Sequence, residues 1–385
     1  MKVLIVGGTG VISTAVVNEA VKRGIEVTCI NRGNDHGNVK SEGVETLHLD
    51  VRDKKKAIEV LEGRFFDVVV DFICAKGTDA QYSLNLFYNK CKQYVFISTD
   101  SVYKIKEDGH YDESCIQPNE EWDYSYMKSE CEDVVRAFCK EKGLPYTIVR
   151  PSITYGNTRI PYGFMPPVGY HYTLIERIKK GKPVVLWNGG QNIQTFMRVE
   201  DFAVGMVGLW GNTLAYNQDF NICGESYSWN NVLEVIEKIL GKKAIRVDIP
   251  LQSIIEKFPE RRGEFLIDRA QDHYVSNMKL KSVLPHFSIT ISLEEGIAQT
   301  IHYYESNNNI FGIDYHYDGL CDMLIQPFYN DKLSFIPYDS KPNKFSYYLG
   351  RFDDSFPVKV YTRTMVFSQR VLRKLKRIAK HAINK

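Results

Sequence analysis

The first two dozen residues constrain the fold more strongly than any other part of the chain. Residues 3–6 form a short apolar run of mostly β-branched side chains, and a glycine-rich turn follows it. Apolar residues then recur at helical spacing from Ile12, and Gly24 gives a stop signal. A buried strand, a glycine turn and a helix are therefore predicted in that order.

The turn predicts a dinucleotide-binding site. Gly7, Gly10 and Ser13 read G-x-x-G-x-x-S, which departs from the three-glycine dinucleotide fingerprint only at its last position. The two glycines let the backbone approach a pyrophosphate at the positive end of the helix, and the third position needs only a small side chain. A purely structural turn is the alternative. The predicted cofactor contacts are Gly7, Gly10, Val11, Ile12, Asn31, Arg32, Asp50, Val51, Ser98, Tyr124, Lys128 and Pro151.

The end of the second predicted strand bears on the choice of cofactor. Asn31 and Arg32 stand where an NAD-binding domain usually carries a carboxylate for the ribose 2′-hydroxyl. Without that carboxylate a 2′-phosphate is not repelled, and Arg32 can pair with it. A solvated loop arginine is the alternative. The predicted cofactor is NAD(P); NADP is favoured, and NAD stays open.

Strand-like and helix-like segments alternate along the first part of the chain. The later strand-like runs are 26–30, 44–49, 68–73, 94–97 and 146–149, and helical stretches include 81–90 and 124–142. This alternation predicts an α/β fold with a Rossmann-type, doubly wound parallel sheet and a ligand at the strands' carboxyl ends. We predict an NAD(P)-binding domain at 1–155, a smaller α/β substrate-binding region at 156–304 with elements returning to the sheet, an aromatic-rich extension at 305–365 and a basic amphipathic helix at 366–385.

Two stretches fit Y-x-x-x-K, and their context separates them. Tyr88 ends a predicted helix, whereas Tyr124 begins a long one and shares a helical face with Lys128. Hydride transfer at a carbinol carbon needs a base for the hydroxyl proton, and a lysine ammonium favours the phenolate. We predict Tyr124 as the acid/base, Lys128 as its pKa modulator and ribose anchor, and Thr99 as the hydroxyl that holds the substrate oxygen. A partly buried tyrosine beside a solvated lysine is the alternative.

Seven segments, in order, resemble the extended short-chain dehydrogenase/reductase superfamily, specifically its NAD-dependent epimerase/dehydratase group. They are 7–12, 50–51, 98–103, 124–128, 150–156, 198–203 and 220–222. Asn31, Arg32 and the segment 71–74 look closer to an atypical bacterial branch. The resemblance implies a nucleotide-sugar substrate, a keto-sugar intermediate, and epimerisation or reduction in surface-glycan biosynthesis.

Departures from the family pattern qualify what the resemblance implies. Family dehydratases carry an Asp-Glu pair where this chain has Asp100 and Ser101, so dehydration is the less favoured alternative. Members that hold a sugar diphosphate often have Asn and Arg where this chain has Ile153 and Gln194. The candidate substrate contacts are Thr99, Asp100, Arg159, Arg198 and Arg262. For the three arginines, a surface or helix-stabilising role stays open.

Composition narrows the partners and the compartment. The formal net charge of +2 argues against a nucleic-acid binder, although a non-catalytic dinucleotide- or RNA-binding relative remains an alternative. Eight cysteines without a C-x-x-C pair predict free thiols and no metal site. The short N-terminal apolar run and the lack of a long one predict no signal peptide and no membrane span. The expected location is the cytoplasm.

The charge is distributed unevenly along the chain. Residues 369–385 contain seven Lys or Arg and no acidic residue, which leaves residues 1–368 with a net charge of −5. Such a basic amphipathic segment predicts peripheral contact with an anionic membrane at its inner face. Docking on the protein itself is an equal alternative, and nucleic acid a weaker one. Residues 305–365 are predicted to pack on the main body or to form a homodimer contact.

Overall fold

The structure is a computed structural model, and it describes residues 1–33, 42–307, 312–333 and 341–353. The strands, numbered along the chain, are β1 (Lys2–Val6), β2 (Glu26–Asn31), β3 (Glu45–His48), β4 (Phe66–Asp71), β5 (Cys91–Ile97), β6 (His110–Tyr111), β7 (Tyr146–Pro151), β8 (Ile153–Tyr155), β9 (Val184–Leu186), β10 (Ile193–Arg198), β11 (Gln218–Ile222), β12 (Glu225–Ser228), β13 (Arg246–Asp248) and β14 (Tyr274–Val275). The α-helices are α1 (Val11–Lys22), α2 (Lys54–Val60), α3 (Gly77–Phe87), α4 (Asp123–Lys142), α5 (Tyr172–Lys179), α6 (Val199–Gly208), α7 (Trp229–Leu240), α8 (Leu251–Lys257), α9 (Met278–Val283), α10 (Leu293–Ser306), α11 (Tyr315–Ile325) and α12 (Lys341–Arg351).

Seven strands form the central sheet, in the order β3-β2-β1-β4-β5-β7-β11. Every neighbouring pair in this sheet is parallel. The strand order changes direction at β1 and β4, which is the switch point where doubly wound sheets bind their ligands. The predicted Rossmann-type α/β fold is confirmed.

Helices cover both faces of this sheet. Val3 and Ile5 of β1 belong to the core beneath α1 and α6, whereas Leu4 and Val6 belong to the core beneath α3 and α4. Successive side chains of a strand point to opposite faces, so a strand buried on both sides needs an uninterrupted apolar run. The helix predicted at 81–90 is α3, which begins earlier, at Gly77, and ends earlier, at Phe87. It ends there because the amide of Lys90 donates to the Phe87 carbonyl at 2.8 Å, in a turn that leads into β5.

A second core begins at β8. It is built around Trp187 and Trp229, with small sheets formed by β8, β10 and β12 and by β9 and β13. The chain returns to the main sheet at β11, which pairs with β7, and α6 packs on α1. The central sheet and the second core are therefore joined by several chain crossings.

The described part of the aromatic-rich extension packs on this second core through α11. Arg177 of α5 forms buried ion pairs with Asp318 and Asp322 of α11, and Lys182 pairs with the same two carboxylates. Residues 354–365 and the basic segment 366–385 lie outside the described residues. Among the described helices, none combines the length and apolar character that crossing a bilayer requires.

Candidate active site

A cavity of about 520 Å³ lies at the carboxyl ends of the central strands. Eight of the predicted cofactor residues line it: Gly7, Gly10, Val11, Ile12, Asn31, Arg32, Asp50 and Val51. The sequence prediction missed several others, among them Thr9, Ser13, Arg52, Phe72 and Ile73. Of these residues, Arg52 could have been predicted from the sequence, because it lies two residues after Asp50 at the end of a predicted strand.

The glycine turn has the backbone geometry that the motif predicts. Gly7 has φ +92°, and a Cβ atom there would meet Cγ2 of Ile73 at 2.5 Å. Gly10 precedes α1, where its amide donates to Oγ of Ser13 at 2.9 Å. Ser13 therefore also caps the helix. The sequence prediction asked only that the third position of the motif be small and did not include this role. The open turn below the first amides of α1 fits the diphosphate of NAD(P).

Four predicted cofactor residues lie apart from this lining: Ser98, Tyr124, Lys128 and Pro151. Ser98 follows β5 and Pro151 ends β7, on neighbouring strands of the sheet. Ser98 is buried, and its amide donates to the Val149 carbonyl at 2.8 Å. Contact between these two residues and a cofactor stays a prediction.

Tyr124 lies in the first turn of α4, where Thr99, Asp100 and Arg159 act on its phenol. The residue is 40% exposed, and its ring centre lies 5.2 Å from that of Trp122. Burial of the phenol oxygen raises the pKa of Tyr124; the Asp100 charge adds to this, while the Thr99 side chain and the Arg159 charge lower it. In the unliganded protein the phenol is therefore protonated at neutral pH.

Lys128 is buried one helical turn further along α4. Its Nζ donates to the Cys74 carbonyl at 2.8 Å and to the Ile97 carbonyl at 2.9 Å, and burial lowers its pKa. Asp71 fixes this region by accepting from the amides of Ile73 and Cys74 at 2.8 and 3.2 Å. An ammonium has three donors, so one N–H of Lys128 is left for a further acceptor.

Asp100 brings a second titratable group to Tyr124. Its side chain is buried, and burial followed by repulsion from Asp268 raises the pKa of Asp100 to about 8. Thr99 Oγ1 lies within hydrogen-bond distance of this carboxyl, at 3.4 Å, and of Ser101 Oγ, at 3.2 Å, and its one proton can go to either oxygen. At neutral pH the protonated Asp100 side chain can itself donate a hydrogen bond.

A π-helical turn, Glu264–Arg269, supplies the opposite wall. The carbonyl of Arg269 accepts from the indoles of Trp187 and Trp229, each at 2.9 Å, and Gln194 donates to the Asp268 carbonyl at 3.0 Å. Nε and Nη1 of Arg269 form ion pairs with Glu264 at 3.5 Å and with Asp268 at 3.2 Å, although neither nitrogen makes a hydrogen bond within the described residues. Asp268 and Arg269 were missed because no local pattern marks them; distant side chains fix their backbone.

The three arginines predicted to contact substrate have different environments. Arg159 lines the cavity, and its charge acts on Tyr124 and is repelled by that of Arg269. Arg198 is instead buried and donates to Thr300 Oγ1 at 2.9 Å and to Asn157 Oδ1 at 2.6 Å. This arginine cross-links the fold, so its prediction as a substrate contact is wrong. Arg262 is exposed beside the π-helical turn.

Parts of this chain resemble known proteins in sequence. The family model for the NAD dependent epimerase/dehydratase family matches residues 3–223. The chloroplast stem-loop binding protein of 41 kDa b from Arabidopsis thaliana is 29% identical over 241 residues, covering 59% of each chain. A dTDP-glucose 4,6-dehydratase from Xanthomonas campestris is 28% identical over 227 residues, covering 56% of this chain and 58% of the enzyme. The chain thus spans less than two thirds of the length of these relatives.

Solved structures agree on the fold. UDP-glucuronic acid 4-epimerase from Bacillus cereus has a TM-score of 0.64 and 20% identity, covering 80% of this chain and 99% of the epimerase. The dTDP-glucose 4,6-dehydratase of Bacillus anthracis, solved with NAD, has a TM-score of 0.65 and 20% identity, covering 80% and 97%. With the family match over more than half of its length, the chain belongs to the NAD dependent epimerase/dehydratase family.

Proposed function

We propose that this protein is an NAD(P)-dependent enzyme that epimerises or reduces a nucleotide sugar through a keto-sugar intermediate. The observation that carries the proposal is the position of Arg159, which lines the dinucleotide cavity and also acts electrostatically on Tyr124. An acid/base phenol is thereby connected to the cavity that fits a dinucleotide. Family membership supports the same chemistry.

The bound NAD(P) would supply the hydride acceptor or donor, and the chain's own residues would manage the proton. Tyr124 is protonated in the unliganded protein and can donate to the oxygen of a keto sugar when that sugar is reduced. In the oxidative direction the phenolate form of Tyr124, which the Arg159 charge favours, would take the hydroxyl proton. Thr99 would orient the reacting oxygen, and the free N–H of Lys128 would bind the nicotinamide ribose. The charge of Arg159 favours the phenolate, so it shares the role first predicted for Lys128.

The π-helical turn Glu264–Arg269, here called the substrate wall, and Arg159 support an anionic substrate. Arg159 lines the cavity and forms no ion pair within the described residues, whereas Nε and Nη1 of Arg269 already pair with Glu264 and Asp268. A nucleotide sugar carries a diphosphate that can pair with the Arg159 guanidinium. Gln194 stands where many relatives have an arginine, and here it holds the backbone that presents Arg269.

Mass spectrometry of the ligand released from purified protein tests the proposal. Tightly held NAD⁺ would support an epimerase, which regenerates its cofactor in each cycle. Loosely held NADPH would support a reductase. Protein that neither retains nor binds any nicotinamide dinucleotide would contradict both forms of the proposal.

A second candidate function follows from one comparison. The similarity to a chloroplast stem-loop binding protein favours RNA binding as an alternative. The combination of Thr99, Tyr124 and Lys128 argues against it, because a binding protein without catalysis needs none of these three. Filter binding to a stem-loop RNA, with a steep dependence on salt, would support the alternative. A third hypothesis, a dehydratase, is less favoured because Ser101 stands where such enzymes carry the second carboxylate.

The location and organisation of the protein are also proposals. We propose a cytoplasmic enzyme with the division at residues 155, 304 and 365 that the sequence predicts, and with 366–385 on the inner face of the membrane. Flotation with anionic vesicles tests the last point: full-length protein should float, and a chain ending at Thr364 should not. Equal flotation of the two would contradict it. Sedimentation tests the predicted homodimer.

A further inference from the structure

At the end of β2, the cavity is lined by side chains whose hydrogen-bond donors have no partner within the described residues. Asn31 is 7% exposed, and its Oδ1 accepts from the amide of Gly33 at 3.0 Å. Asn31 lines the cavity, and its Nδ2 is buried and has no hydrogen-bond partner within the described residues. An amide nitrogen can only donate, so the unfilled requirement of Asn31 is for an acceptor.

Two arginines lie at the same edge of the sheet. β2 and β3 are adjacent and pair Asn31 with His48, so Arg32 and Arg52 follow the ends of neighbouring strands. Both line the cavity, and neither guanidinium forms an ion pair or hydrogen bond within the described part of the chain. The backbone amide of Arg52 donates to Asp50 Oδ1 at 3.1 Å.

The charge of the cavity favours an additional anion. Its lining contains the arginines Arg32, Arg52 and Arg159, and Asp50 is the one acidic residue among the described lining residues. A carboxylate that would repel a phosphate at the end of β2 is replaced by Asn31. Guanidinium groups pair strongly with phosphate oxygens, and the buried amide adds a directed donor.

From these observations we propose that Asn31, Arg32 and Arg52 form a binding site for the 2′-phosphate of NADP(H). The inference rests on the proposed dinucleotide site and adds to it the identity of the cofactor. Arg32 supplies the contact that the sequence suggested, and the structure adds Arg52 and the unpartnered amide. The site distinguishes a phosphorylated from an unphosphorylated adenosine ribose.

Calorimetric titration with 2′,5′-ADP and with 5′-AMP tests the site without turnover. We expect 2′,5′-ADP to bind at least about tenfold more tightly to the unaltered protein, since charge-assisted contacts are the strong ones. Arg32→Ala and Arg52→Ala should each reduce that preference, because they weaken the binding of 2′,5′-ADP more than that of 5′-AMP. Asn31→Asp should reverse it. Arg23→Ala is the matched control: it removes one positive charge at the far end of α1, where Arg23 pairs with Glu19, and should change neither affinity.

The outcomes separate this inference from the proposed function. Equal affinity for the two ligands, or a preference that survives the Arg32→Ala/Arg52→Ala double variant, would overturn the phosphate site and leave the dinucleotide site intact. If neither ligand binds and NAD⁺ and NADP⁺ also fail to bind, both proposals are overturned.

Discussion

The dinucleotide wall and the substrate wall of the cleft are built in different ways. The dinucleotide wall comes from short local units, in which a strand end and the following turn supply the contacts, as at Gly7, Asn31 and Asp50. The substrate wall depends on residues far apart in the chain. Gln194 and two tryptophans fix the backbone of Arg269, and the extension packs behind them. The parallel sheet sets the geometry of the dinucleotide wall, whereas the geometry of the substrate wall depends on packing between distant parts of the chain.

The largest expected effect is that of replacing Tyr124, the proposed acid/base. Tyr124→Phe should lower turnover of a nucleotide sugar by about 10²–10⁴-fold, because it removes the acid/base group. Dinucleotide affinity should stay near that of the unaltered protein, since the local wall is intact. Steady-state kinetics together with calorimetry measure both. A variant that loses the cofactor but keeps its rate when saturated would contradict the assignment.

The buried charges behind the substrate wall come next. Arg177→Met should lower the free energy of unfolding by about 3 kcal/mol, because it leaves Lys182 as the remaining cation in the described ion pairs of Asp318 and Asp322. Lys179→Met on the same helix is the control. Its pair with Glu305 is at the surface, so we expect a change of about 1 kcal/mol or less. Denaturant titration that finds equal losses would show that the extension does not support this wall.

The guanidinium on the π-helical turn should matter less, and mainly for binding. Arg269→Ala should weaken the affinity for a nucleotide sugar by about 10–100-fold, as removal of a charge-assisted hydrogen-bonding group does. Affinity for the dinucleotide alone should hardly change. Gln194→Ala, which frees the backbone of the turn, should give a smaller loss in the same direction. If Arg269→Ala weakens dinucleotide binding equally, the division between the two walls is wrong.

The smallest expected effect concerns pH. The folded pKa of Asp100 is raised to about 8, whereas an unfolded Asp titrates near 4, so the folded state holds a proton that the unfolded state has lost between these values. The stability of the unaltered protein should therefore fall relative to Asp100→Asn as pH rises through this window. Between pH 6 and pH 7 the difference should grow by at most about 1.4 kcal/mol. A difference independent of pH would contradict the raised pKa.

The same contrast explains how much the sequence predicted. The sheet, the glycine turn, Asp50 and the Tyr124 helix follow from patterns a few residues long, because local backbone geometry sets them. Arg269 and Asp268 lie on a π-helical turn whose position depends on Trp187 and Trp229, so no local pattern could identify them. Arg198 was misassigned for the same reason, since its partners Asn157 and Thr300 are distant in the chain.

The central claim is that Tyr124 mediates reduction of a bound nicotinamide by a nucleotide sugar. The direct measurement is the absorbance of enzyme-bound reduced dinucleotide after a panel of nucleotide sugars is added to protein saturated with NAD⁺ or NADP⁺. The account predicts that at least one sugar produces the reduced cofactor with the unaltered protein, and that Tyr124→Phe, although it binds both ligands, does not. Equal reduction by the two proteins, or no reduction by any sugar alongside salt-sensitive binding of a stem-loop RNA, would contradict it.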